Sequence, residues 1–204
     1  MRIKPNQQNL EKNYLLSSIA RLGIQHAMNG LSEMVGEKIT NSEPQLFSVP
    51  ILKIPDFLGG AENEAVGIYL RSCGEASGQF IMILPIARAF EFIDLLMEEP
   101  YGSTQTLDDM GRSALAEMGN LAGTFFLNAM AELTGLETRP SEPVVMFDMV
   151  GAILGVIVAT SAEHMDEVIV IETTITHAGH EVQASYWYIP DEKTMQRLIE
   201  MNNE

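Results

Sequence analysis

The strongest constraint on this chain is that it says the same thing twice. Leu31-Ser32-Glu33-Met34 returns as Met130-Ala131-Glu132-Leu133, and Pro44 returns as Pro143, both 99 positions later. Each copy then runs in the same order. An amphipathic helix comes first, over Leu15–Val35 and Leu107–Leu133. A short polar turn ends in the proline. A short helix or irregular apolar stretch follows, around Val49–Leu58 and Asp148–Thr160. Two strands come next: Glu64–Ser72 and Gln79–Leu84 in the first copy, Glu167–Thr176 and Glu181–Ile189 in the second. Their connections, Cys73-Gly74-Glu75-Ala76-Ser77-Gly78 and His177-Ala178-Gly179-His180, carry glycine where a hairpin needs it. Helices over Ala87–Glu98 and Glu192–Asn202 close the two halves, and Asp191 is placed to cap the second.

One hairpin alone is marginal in water. Pooled, the strands can form one antiparallel sheet with the two long helices packed on a face. The expectation is an α+β fold with a pseudo-twofold repeat, about 11–99 and 107–202, in a single domain over 1–204. Pro100-Tyr101-Gly102-Ser103 is a joint between the halves, too short to be a domain linker.

Composition removes several classes of function. Apolar residues make up 46 % and charged residues 20 % of 204 residues, which is the balance of a chain with a core. The opening MRIKPNQQNL has neither the apolar centre nor the cleavage pattern of a signal peptide. The longest apolar run, Val144–Thr160, is short for a membrane span and is interrupted by Asp148, so it reads as a buried helix. The single cysteine, Cys73, excludes an internal disulfide and fits a reducing cytoplasm; at a strand end it reads as a packed thiol. A formal charge of −16 repels nucleic acid and anionic lipid, and it suits a soluble protein whose partner presents a basic patch.

The second long helix holds the candidate chemistry. At helical periodicity Leu107, Met110, Ala114, Met118, Leu121, Phe125 and Ala129 form one side, expected to face the core. Asp109, Ser113, Glu117, Asn120 and Thr124 form another stripe, spaced by three and four. Glu117 and Asn120 therefore point the same way, one turn apart. Asn is a mediocre helix former, which makes it unusual at mid-helix. Other chemistry is poorly supported. His177 and His180 flank a glycine in the second hairpin turn, but zinc needs more ligands, and His26 and His164 add no companion pattern. Gly59-Gly60 lacks the lysine and spacing of a phosphate loop. No serine sits in a nucleophile elbow.

Ser113, Glu117 and Asn120, with Pro143 after twenty-two intervening residues, resemble the signature of the CheC/CheX/FliY family of chemotaxis phosphatases. The text Glu117-Met118-Gly119-Asn120 and Leu127-Asn128-Ala129-Met130-Ala131-Glu132-Leu133-Thr134-Gly135 looks like the second half of CheC-type members, and the likeness runs over nearly the whole chain. The resemblance implies hydrolysis of the aspartyl phosphate of a CheY-type response-regulator receiver. Asn120 would orient the attacking water, and Glu117 would dock on the receiver's lysine. Ser113 would have a supporting role and Pro143 a structural one. No cofactor of its own is implied, since Mg²⁺ belongs to the receiver. Carried back by 99, Glu117 falls on Ser18, Asn120 on Arg21 and Ser113 on Tyr14. One site is therefore expected, a departure from the two-site members. The stretch Asp148-Met149-Val150-Gly151-Ala152-Ile153-Leu154 resembles the short helix by which some members bind the receptor deamidase CheD, with Asp148 a partner-binding residue. The competing reading is a non-catalytic binding module of the chemotaxis and flagellar switch machinery.

Overall fold

Strand pairing shows how the two copies combine. The computed structural model describes residues 14–160 and 167–202. The opening MRIKPNQQNL and His164 lie outside the described residues. The first copy contains α1 (Tyr14–Val35), β1 (Thr40–Asn41), β2 (Gln45–Pro50), a 3-10 turn at Ile51–Lys53, α2 (Ile54–Phe57), β3 (Glu64–Gly74), β4 (Gly78–Pro85) and α3 (Ile86–Leu96). The second contains α4 (Asp109–Thr134), β5 (Thr138–Pro140), β6 (Val144–Met149), α5 (Val150–Thr160), β7 (Glu167–His177), β8 (His180–Pro190) and α6 (Glu192–Asn202). The sheet runs β1-β7-β8-β4-β3-β5, with β2 also on β7 and β6 also on β3. All of these pairings are antiparallel. Each half thus gives its short strands to the other half's hairpin, and the pseudo-twofold axis passes between β8 and β4. Neither half has a complete sheet of its own.

The 99-residue spacing of the sequence is a spacing of structure. β2 and β6 occupy positions 45–50 and 144–149. Gly36 and Gly135 end the two long helices in the left-handed region, at φ 74° and 69°. Their N–H groups donate to the carbonyls of Ser32 (2.9 Å) and Ala131 (2.8 Å). Glycine has no Cβ to clash in that conformation, which is why it stands at both helix ends.

Sheet strands alternate between two cores. Val66, Ile68 and Leu70 of β3, with Phe80, Met82 and Leu84 of β4, face the layer formed by α1 and α4. Ile81 and Ile83 of β4, with Val168, Val170, Trp187 and Ile189, face α2 and α5 on the opposite side. The α+β fold with two long helices on one face is as the sequence implies, and the short helices cover the second face.

Four strands lie outside what periodicity predicts. β1, β2, β5 and β6 are edge segments of two to six residues, too short to show alternation. Two expectations are corrected by them. Val49 and Pro50 end a strand, so the short helix of the first copy begins only after Pro50. Asp148 and Met149 likewise belong to β6, and α5 starts at Val150. Nor is α5 a fully buried helix. It buries Val150, Ile153, Leu154 and Ile157 and leaves Val156 and Val158 half exposed. The thiol of Cys73 is exposed rather than packed.

Candidate functional site

The helix that carries the candidate residues is held at both ends. Asp108 caps α4, its Oδ1 accepting from the N–H of Gly111 at 2.8 Å, and Gly135 closes the other end. Before the cap, the joint between the halves is tied down by Asp94, which is fully buried on α3. Its carboxylate accepts from the N–H of Gly102 (2.6 Å), the hydroxyl of Ser103 (2.9 Å) and the N–H of Thr104 (2.9 Å). Burial alone would raise this carboxyl's pKa, but the hydrogen bonds from Thr104, Ser103 and Gly102 outweigh it and hold the group below the usual carboxylate range.

Small residues set how deeply α4 lies on the sheet. A Cβ on Gly119 would overlap Cγ2 of Ile68, and one on Gly123 would stand 3.0 Å from Cδ1 of Leu70. A Cβ on Gly23 of α1 would stand 2.9 Å from the Cα of Phe126, so the two long helices cross nearly backbone to backbone. This corrects the expected core face of α4. Met118 and Ala129 are buried as expected, but Leu107, Ala114, Leu121 and Phe125 are only half-buried and Met110 is 62 % exposed. The buried stripe runs instead through Gly111, Leu115, Gly119, Ala122, Gly123, Phe126 and Met130. Glycine and alanine carry little hydrophobic weight in a periodicity reading, yet they are the residues that permit contact.

Turning the core face this way brings the candidate stripe over an open depression of about 400 Å³. Ser113, Ala116, Glu117 and Asn120 form one wall, and Pro140, Ser141, Glu142 and Pro143 form the other. Glu117 is exposed and Asn120 half-buried. Among the described residues, no hydrogen bond or ion pair engages either side chain. Ser113 differs, since its hydroxyl donates to the Asp109 carbonyl on its own helix at 2.9 Å. Asp148 is not part of this depression. It is exposed on β6, opposite Ala65 of β3, with Oδ1 accepting from the Met149 N–H at 2.7 Å.

The facing loop is pinned to the sheet. Ser141 donates its N–H to the Arg71 carbonyl (2.8 Å), and its Oγ accepts from the Arg71 N–H (3.0 Å). The first copy repeats this device. Ser42 donates to the Thr174 carbonyl (2.8 Å), and its Oγ accepts from the Thr174 N–H (2.9 Å). The loops bearing Glu43 and Glu142 are therefore fixed alike, 99 positions apart. What differs is the helix. Arg21, in the place of Asn120, donates Nε–H to Glu43 Oε1 at 2.7 Å, and both side chains are largely exposed. Sequence reasoning missed Ser141 and Glu142. The signal that could have found them was the same offset, since Ser42-Glu43-Pro44 recurs as Ser141-Glu142-Pro143.

The two histidines of the β7–β8 turn are engaged in packing the joint. His177 is buried, with Nδ1 3.2 Å from the Tyr101 hydroxyl and Nε2 2.9 Å from Glu37 Oε2. His180 stacks on the Tyr101 ring at 3.8 Å. Burial, and then the negative charges of Asp94, Glu91 and Glu37, push the Tyr101 hydroxyl pKa up.

The depression itself offers a carboxamide, which both donates and accepts, and carboxylates, which only accept. Among the described residues, no cationic side chain lines it. A free phosphate would be repelled, whereas a phosphoryl group delivered with its own cations would not. The chain is 30 % identical over 193 residues, 93 % of its length and 92 % of the relative's, to the CheY-P phosphatase CheC of Bacillus subtilis. It belongs to the CheC family. No protein-family model matches the chain. Among solved structures, that of FliY from Thermotoga maritima aligns with a TM-score of 0.74 at 18 % identity, covering 100 % of this chain and 98 % of FliY. The CheX–CheY–BeF₃–Mg²⁺ complex of Borrelia burgdorferi aligns at 0.52 and 16 % identity, covering 83 % of this chain and 96 % of that one. These likenesses establish the fold that this CheC-family chain shares. No helix among the described residues is long and apolar enough to cross a membrane.

Proposed function

We propose that this CheC-family protein hydrolyses the aspartyl phosphate of a CheY-type receiver domain. The observation that carries the reading is the pair Glu117 and Asn120, one helical turn apart, unengaged and opening into one depression. Two similarities support it: the Bacillus subtilis relative is a CheY-P phosphatase, and a CheX of this fold has been captured with CheY bearing BeF₃ and Mg²⁺.

The receiver supplies the acyl phosphate and its Mg²⁺. Water attacks phosphorus, the bond from phosphorus to the aspartyl oxygen breaks, and the electron pair leaves with the carboxylate. Inorganic phosphate and a proton are the other products. Such transfers pass through a loose transition state, so catalysis is positioning and charge stabilisation, and a strong base is unnecessary. Asn120 accepts from the water through its amide oxygen and donates through its nitrogen, fixing the line of attack. Glu117 meets the receiver's lysine. Each tenfold in rate requires about 1.4 kcal/mol, and a well-held water can supply several such steps. Ser113 and Pro143 shape the two walls.

The test is the lifetime of the phosphorylated receiver with and without this protein. Asn120→Ala should abolish the acceleration, and Glu117→Ala should weaken docking. If the double variant accelerates decay as well as wild type, the proposal fails. A second reading, a docking module without hydrolysis, draws on the half-exposed Val156 and Val158 of α5, where a CheD-like partner would cover the apolar side. Stable receiver binding with an unchanged phosphate lifetime would favour it.

A further inference from the structure

The first copy is a filled version of the depression that the second copy leaves open. Arg21 stands in the place of Asn120, and its guanidinium lies against Glu43 at 2.7 Å. Glu43 sits on a loop held by the Ser42–Thr174 bonds, just as Glu142 sits on a loop held by the Ser141–Arg71 bonds. In the second copy the helix residue is a short neutral amide, so the carboxylate of Glu142 lines the open depression. Among the described residues it has no side-chain hydrogen bond or ion pair. A carboxylate on this loop therefore reaches a cation placed beside helix position 120, because its counterpart does so within the same chain.

We infer that Glu142 is a second docking residue, which accepts a lysine or arginine of the incoming receiver beside Asn120 and so sets which receivers are taken. The inference rests on the phosphatase reading for its partner but not for its geometry. Glu117 and Glu142 then face each other across the depression and clamp cationic groups from two sides, leaving Asn120 free for the water. Glu142 is a positioning residue and touches no reacting atom. Its contribution lies in encounter and binding, where charges at the rim of an interface act on association and on salt dependence.

The experiment follows a CheY-type receiver in two assays, phosphate decay after loading with acetyl phosphate and binding of the beryllofluoride-activated form. Glu142→Gln should lower kcat/KM by about three- to tenfold at low salt, with the loss in KM, and the gap should narrow as salt rises. Glu142→Lys should lower it further. Glu43→Gln removes the same charge at the filled site and should change neither assay. If Glu142→Gln matches wild type at low salt, or if Glu43→Gln is as impaired as Glu142→Gln, the inference is overturned while the phosphatase reading stands. If wild type binds the receiver in a Glu142-dependent way yet never shortens the phosphate lifetime, the phosphatase reading falls and the docking role survives. If wild type neither binds nor accelerates, both fall.

Discussion

Adding one methyl group at Gly119 tests whether helix depth is what aims Asn120. In an isolated helix Gly→Ala stabilises by about 0.8–1 kcal/mol. Here the new Cβ would overlap Cγ2 of Ile68, whereas ordinary contacts begin near 3.4 Å. Ile68 is fully buried on β3, which is paired on both sides, and its branched side chain has no room to swing away. The helix must lift by roughly an ångström, and overpacking of this kind costs about 1–3 kcal/mol. Set against the helix gain, the net change is a loss of about 0–2 kcal/mol, read as an unchanged or lower urea midpoint by the fluorescence of buried Trp187. The larger effect is functional, because Asn120 is the next residue. If Asn120 orients the attacking water as proposed, a displacement of that size should cost about 10- to 100-fold in receiver dephosphorylation. Ile68→Leu removes the offending branch at nearly constant volume. The double variant Gly119→Ala/Ile68→Leu should then recover at least about 1 kcal/mol relative to the sum of the singles. A Gly119→Ala protein with a raised midpoint and full activity would refute the claim that Gly119 sets the depth of α4.

Three further outcomes follow from the same structure. Asp94→Asn leaves the donors of Gly102, Ser103 and Thr104 facing an amide, and should destabilise by about 1–3 kcal/mol at pH 7. Because the folded-state pKa of Asp94 is depressed, its stabilisation is present above the unfolded value near 3.8 and is lost as pH falls through the folded value; the stabilities of the two proteins should therefore begin to converge only as pH drops below 3.8. Ser18→Glu with Arg21→Asn opens the filled site and installs the carboxylate–amide pair on α1. Added to Asn120→Ala, it should restore dephosphorylation, and a triple variant as inert as Asn120→Ala would limit the equivalence of the halves to their backbone. In the β7–β8 turn Ala178 and Gly179 both have positive φ, 49° and 82°, a conformation that Asn-Gly favours. Ala178→Asn should raise the thermal midpoint, by a stabilisation of up to about 1 kcal/mol; an unchanged or lowered midpoint would count against strain at that position.

What was legible in the sequence is what local rules control. The long helices, the hairpin strands and the Asp191 cap, whose Oδ1 accepts from the Thr194 N–H at 2.7 Å, follow from periodicity and capping chemistry. The stripe of Ser113, Glu117 and Asn120 was readable because positions three and four apart share a helix surface. What was hidden depends on contact between the halves. The short strands β2 and β6 acquire their conformation only by pairing with the other copy's β7 and β3, so their own residues announce nothing. The core side of α4 depended on glycines whose significance appears only when Ile68 and Leu70 are set against them.

The same logic explains why one half of the site came from the helix and the other half had to come from the fold. Glu117 and Asn120 are neighbours in sequence. Glu142 reaches their depression only because the loop preceding β6 is pinned to Arg71 of the other copy. Exchange of strands between the repeats is therefore what builds the second wall. A chain cut at the joint would keep the amide and lose the pinning to Arg71 that holds this surface in place. Arg21 and Glu43 show what that surface does when a cation is present. One copy holds its own cation against this loop, and the other leaves the carboxylate of Glu142 facing an open depression.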